Sequence, residues 1–277
     1  MQGALQHGRS TPLKVDTNSL QTRQDSRELA FDPHFTVLDE TADYIVVDKP
    51  APLQAHPSNP GCAPTLWDGL RELLAFEIIN GGQVSIINRL DRETSGVTLV
   101  AKNAAAARFF GIAMQERRFH KTYLTVALGW PEWDEKQVTA PIVRKGELEP
   151  SAIWVKQCVH PDGVASETNF RVLQRGGSPT LPLSLIEASP VTGRMHQIRV
   201  HLASLGHPVL GDKIYGADES CYLDFIQTGW SPELQARLHL RRQALHAHQL
   251  RIATETLTAE WTAPCPDLFD QVLAGAL

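Results

Sequence analysis

The sequence predicts an α+β fold: one large, mainly antiparallel mixed β-sheet flanked by helices and loops. Three observations lead there. Strand-type runs outnumber helical ones, most of them sit at the short spacings that join antiparallel neighbours, and no compositional break divides the chain after residue 35. With 277 residues the chain can bury a large core. Residues 1–35 are polar and poor in large apolar side chains, which predicts a loosely held extension ahead of a folded domain at 36–277.

The elements follow in order. "HFTVL" and "YIVVDK", joined by "DETAD", predict a β-hairpin. The Pro- and Gly-rich "KPAPLQAHPSNPGCAP" must be loop. Thr65 is placed to cap a helix whose stripe is Leu66, Leu70, Leu73 and Leu74. "SIINRL" and "VTLVAK" read as strands on either side of the bend "DRETSG". Asn103 then caps a helix with Ala107, Phe110, Gly111 and Met114 at helical spacing. In "KTYLTVAL" Leu124, Val126 and Leu128 share one strand face, so Tyr123 points away from the more apolar side. "NFRVLQ" and "LSLIEA" are strands, with "QRGGSP" (174–179) a loop between them. "RMHQIRVHLASLG" is a helix with a stripe at Met195, Ile198, Leu202 and Leu205, stopped by Gly206. Ser231, Pro232 and Glu233 start another helix, and "ALHAHQLRI" and "AEWTA" are strands.

Composition excludes several classes. No run approaches the ~18 apolar residues of a membrane span, and the N-terminus lacks the apolar segment of a secretory signal. Cys62, Cys158, Cys221 and Cys265 are scattered without a CxxC pair, which speaks against a zinc ribbon or disulfide framework and predicts a reducing, cytoplasmic setting. There is no P-loop, G-x-S-x-G or dinucleotide fingerprint. Net charge is −5, yet residues 86–121 hold seven Lys or Arg against three acids, while the remainder holds 19 against 28. Such a basic patch on an acidic body can attract phosphate.

Two stretches carry candidate chemistry. In "IINRLDRETSGVTLVAKN", Asp91 stands between Arg89 and Arg92. An aspartate beside Thr94, Ser95 and Gly96 is by default a turn residue. Cations keep a carboxylate ionised, and a positioned carboxylate can act as nucleophile, base or stabiliser of positive charge; spacing alone selects none of these. In "VTGRMHQIRVHLASLGHPVLGDKIYG", Arg199 lies at the edge of the apolar stripe, half-buried, and therefore needs an anionic partner. His196 and His201 are five residues apart, which splits their rings across the helix rather than stacking them for a metal.

Taken together, "NRLDRETSGVTLVAK", "RRFHKTYLTVALG" and "VTGRMHQIRVHLASLGHPVLGDKIYG", in that order, resemble RNA pseudouridine synthases of the ribosomal-large-subunit type. The resemblance runs from about Phe35 to about Phe269 and implies the pseudouridine synthase fold, with an active-site cleft across the sheet. It implies an isomerase, without metal or organic cofactor, that converts uridine in rRNA or tRNA stem-loops to pseudouridine. It makes Asp91 the essential carboxylate, Tyr123 the ring that stacks on the uracil, and Arg199 the partner of Asp91. Leu245 would pack beneath the base. Arg89 would fill the space of a flipped base, and Arg92, Arg117, Arg118 and Lys121 would follow the RNA backbone. With no room before the catalytic region for a separate RNA-binding domain, the expectation is a monomer that recognises RNA with its catalytic domain alone. Asn88 departs from the family's histidine; asparagine substitutes if that ring only supports the loop by hydrogen bonding. The contrasting readings are a non-catalytic RNA-binding protein that keeps the fold and a metal-dependent hydrolase using the histidines.

Overall fold

The computed structural model describes residues 35–58 and 63–276. The expected extension at 1–35 therefore lies, all but its last residue, outside the described residues, as do 59–62 of the Pro-rich loop. In chain order the strands are β1 (Thr36–Glu40), β2 (Tyr44–Lys49), β3 (Ser85–Ile86), β4 (Ser95–Ala101), β5 (Phe119–Leu128), β6 (Glu135–Thr139), β7 (Ile142–Arg144), β8 (Gln157–Val159), β9 (Glu167–Ser178), β10 (Leu181–Pro190), β11 (Leu245–Ala253) and β12 (Thr258–Thr262). The helices are α1 (Leu66–Leu73), α2 (Ala75–Ile79), α3 (Ala104–Gln115), α4 (Gln197–Ser204), α5 (Ser220–Thr228), α6 (Pro232–Leu238) and α7 (Asp267–Leu273).

Ten strands form one sheet in the order β1-β2-β4-β11-β5-β10-β9-β6, with β3 added to β4 and β12 to β11; β7 and β8 pair separately. Among these pairings β4 with β11 is parallel and the others are antiparallel. The predicted mainly antiparallel mixed sheet is what forms. Its one parallel pair brings the N-terminal ends of β4 and β11 to the same side, and the bend at Asp91 enters β4 there. β4 is buried along its whole length, as a central strand covered on both faces must be.

Local chemistry sets the element starts. The Thr65 side chain accepts from the Asp68 amide while Asp68 accepts from the Thr65 amide, a reciprocal cap on α1. Asn103 Oδ1 accepts from Ala106 N at 2.8 Å, and the Ser231 side chain caps α6. Gly206, at φ +81°, stops α4 as expected.

Four expectations need correction. Leu73 is 52% exposed, and the buried stripe of the first helix is Leu66, Leu70 and Leu74. On α3 the buried line is Ala106, Phe110 and Ala113, not Ala107, Phe110, Gly111 and Met114. Four successive alanines flatten the apolar pattern there, and Gly111 and Met114 instead line a cleft. "QRGGSP" is strand as far as Ser178, and only Pro179 and Thr180 turn the hairpin. Its Gly176 is a packing residue, because a Cβ there would press on the Leu273 carbonyl of α7. Met195 lies outside α4 and is 49% exposed; His196 at φ 58° precedes the first turn.

The main core lies between the β5–β10–β9 region and α4 and α7, around Val126, Leu183, Ile186, Leu202 and Phe269. A second cluster under α3 centres on Leu99, Phe110, Ile252 and Trp261, and a third packs α1 on β2. Burial of Thr125 and Ala127 means that both faces of the second half of β5 are covered. Only the Lys121–Tyr123 side of its first half opens to the cleft. Among the described residues no helix is long and apolar enough to cross a membrane.

Candidate active site

The bend before β4 is fixed on every side except one. Thr94 N donates to Asp91 O at 3.1 Å, closing the turn that the sequence predicts. The Thr94 hydroxyl accepts from Gln243 Nε2 at 2.7 Å, and Ser95 Oγ lies 2.9 Å from His246 Nδ1, so the bend is tied to the start of β11. At Gly96 (φ +115°) any Cβ would overlap the Ala247 carbonyl, which explains the glycine of the Thr-Ser-Gly turn. Glu93 takes two hydrogen bonds from the buried Lys213 Nζ, at 2.7 and 2.8 Å. Arg92 O accepts from Leu53 N at 2.8 Å. Asn88 donates to Val97 O and accepts from Leu99 N, both at 2.8 Å, so its amide supports β4 by hydrogen bonding. That leaves the Asp91 side chain, 34% exposed, facing the cleft.

Across the cleft floor stands Arg199, 5% exposed where the sequence suggests half burial. Its Nη1 donates to Asp91 Oδ2 at 2.9 Å. Its Nε and Nη2 donate to Asp212 Oδ2 and Oδ1 at 2.6 and 2.8 Å, a bidentate pair. Asp212 is fully buried and also accepts from Ile214 N at 2.9 Å and Tyr215 N at 3.1 Å. The helical position correctly demands an anion, but the tighter one is Asp212, which sequence reasoning missed. "LGDKIYG" offers no spacing signal that its aspartate faces a helix thirteen residues earlier.

The electrostatics follow from this packing. Burial opposes ionisation of Asp91, yet the Arg199 charge and hydrogen bond outweigh it and hold the carboxyl below the usual range. Asp212 is held low in the same way, and Arg199 is raised still further because its two carboxylates outweigh burial. Burial, with a smaller push from Asp91, raises the Tyr123 phenol, so this ring remains neutral. Burial and then Arg199 push His196 down to about 4; its Nε2 lies 3.9 Å from Asp91 Oδ2.

Lys49 is a second residue that sequence reasoning missed. It is fully buried, and its Nζ donates to Leu53 O at 2.8 Å, Pro50 O at 3.0 Å and Arg92 O at 3.4 Å, joining the loop after β2 to the bend. Burial lowers it to about 7, well under the ~10.4 of an unfolded lysine. Between those values the unfolded chain binds more protons, so this group makes stability rise with pH from about 7 to about 10. Denaturant titrations of wild type and Lys49→Met across that window check this, and the variant is expected to lose that part of the slope.

Asp91, Tyr123, Arg199 and Leu245 converge on one cleft of about 1130 Å³, and Arg89, Arg92, Arg117 and Lys121 line it as well. Arg118 does not belong with them: it is exposed, pairs with Glu116 at 3.3 Å and is absent from the lining. Three of the other histidines are engaged elsewhere, His201 with Thr168 Oγ1 and Ala140 O, His207 with Leu128 O, and His248 with Ala263 O. Among the described residues no three His, Cys, Asp or Glu side chains converge as a metal site.

A sequence profile of the RNA pseudouridylate synthase family matches residues 43–204, from β2 to the end of α4. The chain belongs to this family. It is 35% identical over 251 residues to the ribosomal large subunit pseudouridine synthase D of Nitrosomonas europaea, covering 89% of this chain and 67% of that one. It is 32% identical over 253 residues to an uncharacterized RNA pseudouridine synthase of Bacillus subtilis, covering 88% and 74%. The solved structure of human RNA pseudouridylate synthase domain containing 1 superposes with a TM-score of 0.64 at 29% identity, covering 84% of each chain. Human RNA pseudouridylate synthase domain containing 4, at 22% identity and a TM-score of 0.65, shares the fold. Pseudouridine synthases are isomerases that act on RNA. In this pseudouridine synthase the matched segment contains the Asp91 bend, Tyr123 and Arg199, whereas Asp212, Tyr215 and Leu245 lie beyond it.

Proposed function

We propose that this pseudouridine synthase isomerises specific uridines of ribosomal or transfer RNA, with Asp91 as its essential carboxylate. One observation carries the reading: an ionised Asp91 is held by Arg199 at the floor of a cleft beside Tyr123 and Leu245. The reaction breaks the C1′–N1 bond, turns the uracil, forms a C1′–C5 bond, releases the C5 proton and returns a proton to N1. It needs a carboxylate that is charged in place and a flat pocket that retains the detached base. Tyr123 and Leu245, neighbours on the paired strands β5 and β11, both line the cleft and offer the ring an aromatic and an aliphatic surface, and the neutral Tyr123 phenol is available for hydrogen bonding. The match to a relative named for the ribosomal large subunit supports rRNA as the first substrate to test.

A uridine in folded RNA must leave its stack to reach Asp91, at a cost of a few kcal/mol. Arg89 is exposed at the cleft, two residues before Asp91, and in this reading enters the vacated space. Arg89→Ala is expected to slow modification of a structured stem-loop by about tenfold or more and an unstructured oligonucleotide much less. Single-turnover rates on the two RNAs decide it; equal losses remove the flipping role. Arg92, Arg117 and Lys121 line the cleft and in this reading contact phosphates, with affinity falling as salt rises. The Glu116 pairing of Arg118 makes it the weakest of the proposed backbone contacts.

A further inference from the structure

His196 is built into the cleft floor at some conformational cost. It is not glycine, yet it holds φ 58° and ψ 15°, a left-handed conformation that disfavours side chains bearing a Cβ. What holds it there is Tyr215. The two rings pack edge to face with centroids 5.6 Å apart, and His196 Nδ1 lies 2.8 Å from the Tyr215 hydroxyl.

The proton on this bond can be placed. The Tyr215 oxygen already accepts from Gln157 N at 2.9 Å, and its own hydrogen has no acceptor among the described residues other than His196 Nδ1. Tyr215 therefore donates to Nδ1, and the imidazole carries its hydrogen on Nε2. The ring stays neutral near pH 7, because burial and Arg199 disfavour a second proton.

Nε2–H has no protein acceptor among the described residues. The nearest carboxylate oxygen, Asp91 Oδ2, is 3.9 Å away, beyond hydrogen-bond range, and is already taken by Arg199. The His196 side chain is only 9% exposed, and it lines the cleft beside Asp91. A neutral donor fixed in orientation, nine-tenths buried and facing the space next to the reacting carboxylate calls for an oxygen of the substrate.

We propose that His196 Nε2–H donates a hydrogen bond to a carbonyl oxygen of the uracil in the cleft, which makes His196 a base-recognising residue with Tyr215 as the residue that sets its tautomer. The proposal rests on the pseudouridine-forming reading of this cleft. The uncharged ring suits the task, since an imidazolium would compete with Arg199 for Asp91 instead of meeting the base.

The test pairs a protein change with a substrate change. Large-subunit rRNA transcripts are made with uridine, 2-thiouridine or 4-thiouridine, sulfur being the poorer acceptor, and pseudouridine formation is followed for wild type, His196→Ala and His196→Gln. Wild type is expected to lose about three- to tenfold on one of the two thio-RNAs, the size of one neutral hydrogen bond. His196→Ala should show a similar loss on the uridine RNA and no further loss on that thio-RNA, while His196→Gln, which keeps a donor, recovers part of both. The affected thio-RNA identifies O2 or O4 as the acceptor. Melting temperatures of the variants report folding separately, and a purely structural role leaves the thio-sensitivity unchanged. Equal thio-sensitivity in wild type and His196→Ala, including none in either, overturns the proposal. Absence of pseudouridine with wild type on the uridine transcript instead overturns the reading of the cleft on which it rests.

Discussion

Asp91→Asn is expected to abolish pseudouridine formation, with a loss of roughly 10⁴-fold or more, while RNA affinity stays within a few-fold of wild type. The substitution is nearly isosteric. The bend keeps its ties to Gln243, His246 and Lys213, and an amide oxygen can still accept from Arg199 Nη1. What disappears is the negative charge, and with it any role as nucleophile, base or partner of a cationic sugar. Binding survives because the carboxylate repels phosphate, and the proposed RNA contacts from Arg89, Arg92, Arg117 and Lys121 are untouched. Gel-shift affinity alongside single-turnover pseudouridine yield separates the two effects. A variant that modifies RNA at more than about a tenth of the wild-type rate is incompatible with the assignment.

Asp212→Ala is expected to destabilise the protein by about 3–5 kcal/mol, because it strips the bidentate partner from a buried guanidinium. For a chain of this size that is a fall in melting temperature of roughly 6–20 °C. Activity should fall too, since Arg199 loses the support that aims Nη1 at Asp91 and the turn amides of Ile214 and Tyr215 lose their acceptor. Calorimetry gives the first number and single-turnover kinetics the second. A fall of less than about 3 °C with unchanged activity would mean that Asp212 is not what positions Arg199. Asp212 is also held low in the folded state, so its stabilising contribution is complete above pH ~4, the unfolded aspartate value, and is lost as pH falls further.

How much of this was legible before the structure depends on the range of each interaction. The caps at Thr65, Asn103 and Ser231 are contacts over three residues, and local pattern suffices to find them. The β1–β2 hairpin and the strands flanking the bend are read from alternation and turn residues in the same way, although β3 keeps only Ser85 and Ile86. Helix faces were harder. The alanine run Ala104–Ala107 carries no gradient of hydrophobicity, so the spacing alone sets the buried side of α3 one residue off. Gly176 resembled loop because its reason for being glycine is a carbonyl of α7 nearly a hundred residues away.

In the site, helical geometry alone demanded an anion for Arg199, and family resemblance pointed to Asp91. The two do meet at 2.9 Å. The more intimate partner, Asp212, was illegible because a salt bridge between two elements leaves no periodic trace in either. The same holds for Lys49, whose acceptors are backbone carbonyls, and for the Tyr215–His196 pair. Asn88, the departure from the family's pattern, is explained by contacts its own motif does not encode, since its amide bridges Val97 O and Leu99 N on β4.

The most direct measurement takes RNA from cells lacking this protein, incubates it with the purified full chain or its Asp91→Asn variant, and maps pseudouridine by chemical probing. The expected result is one or more uridines in rRNA or tRNA converted by wild type and none by the variant. A wild-type map identical to that of untreated RNA, or the same sites converted by Asp91→Asn, contradicts the account.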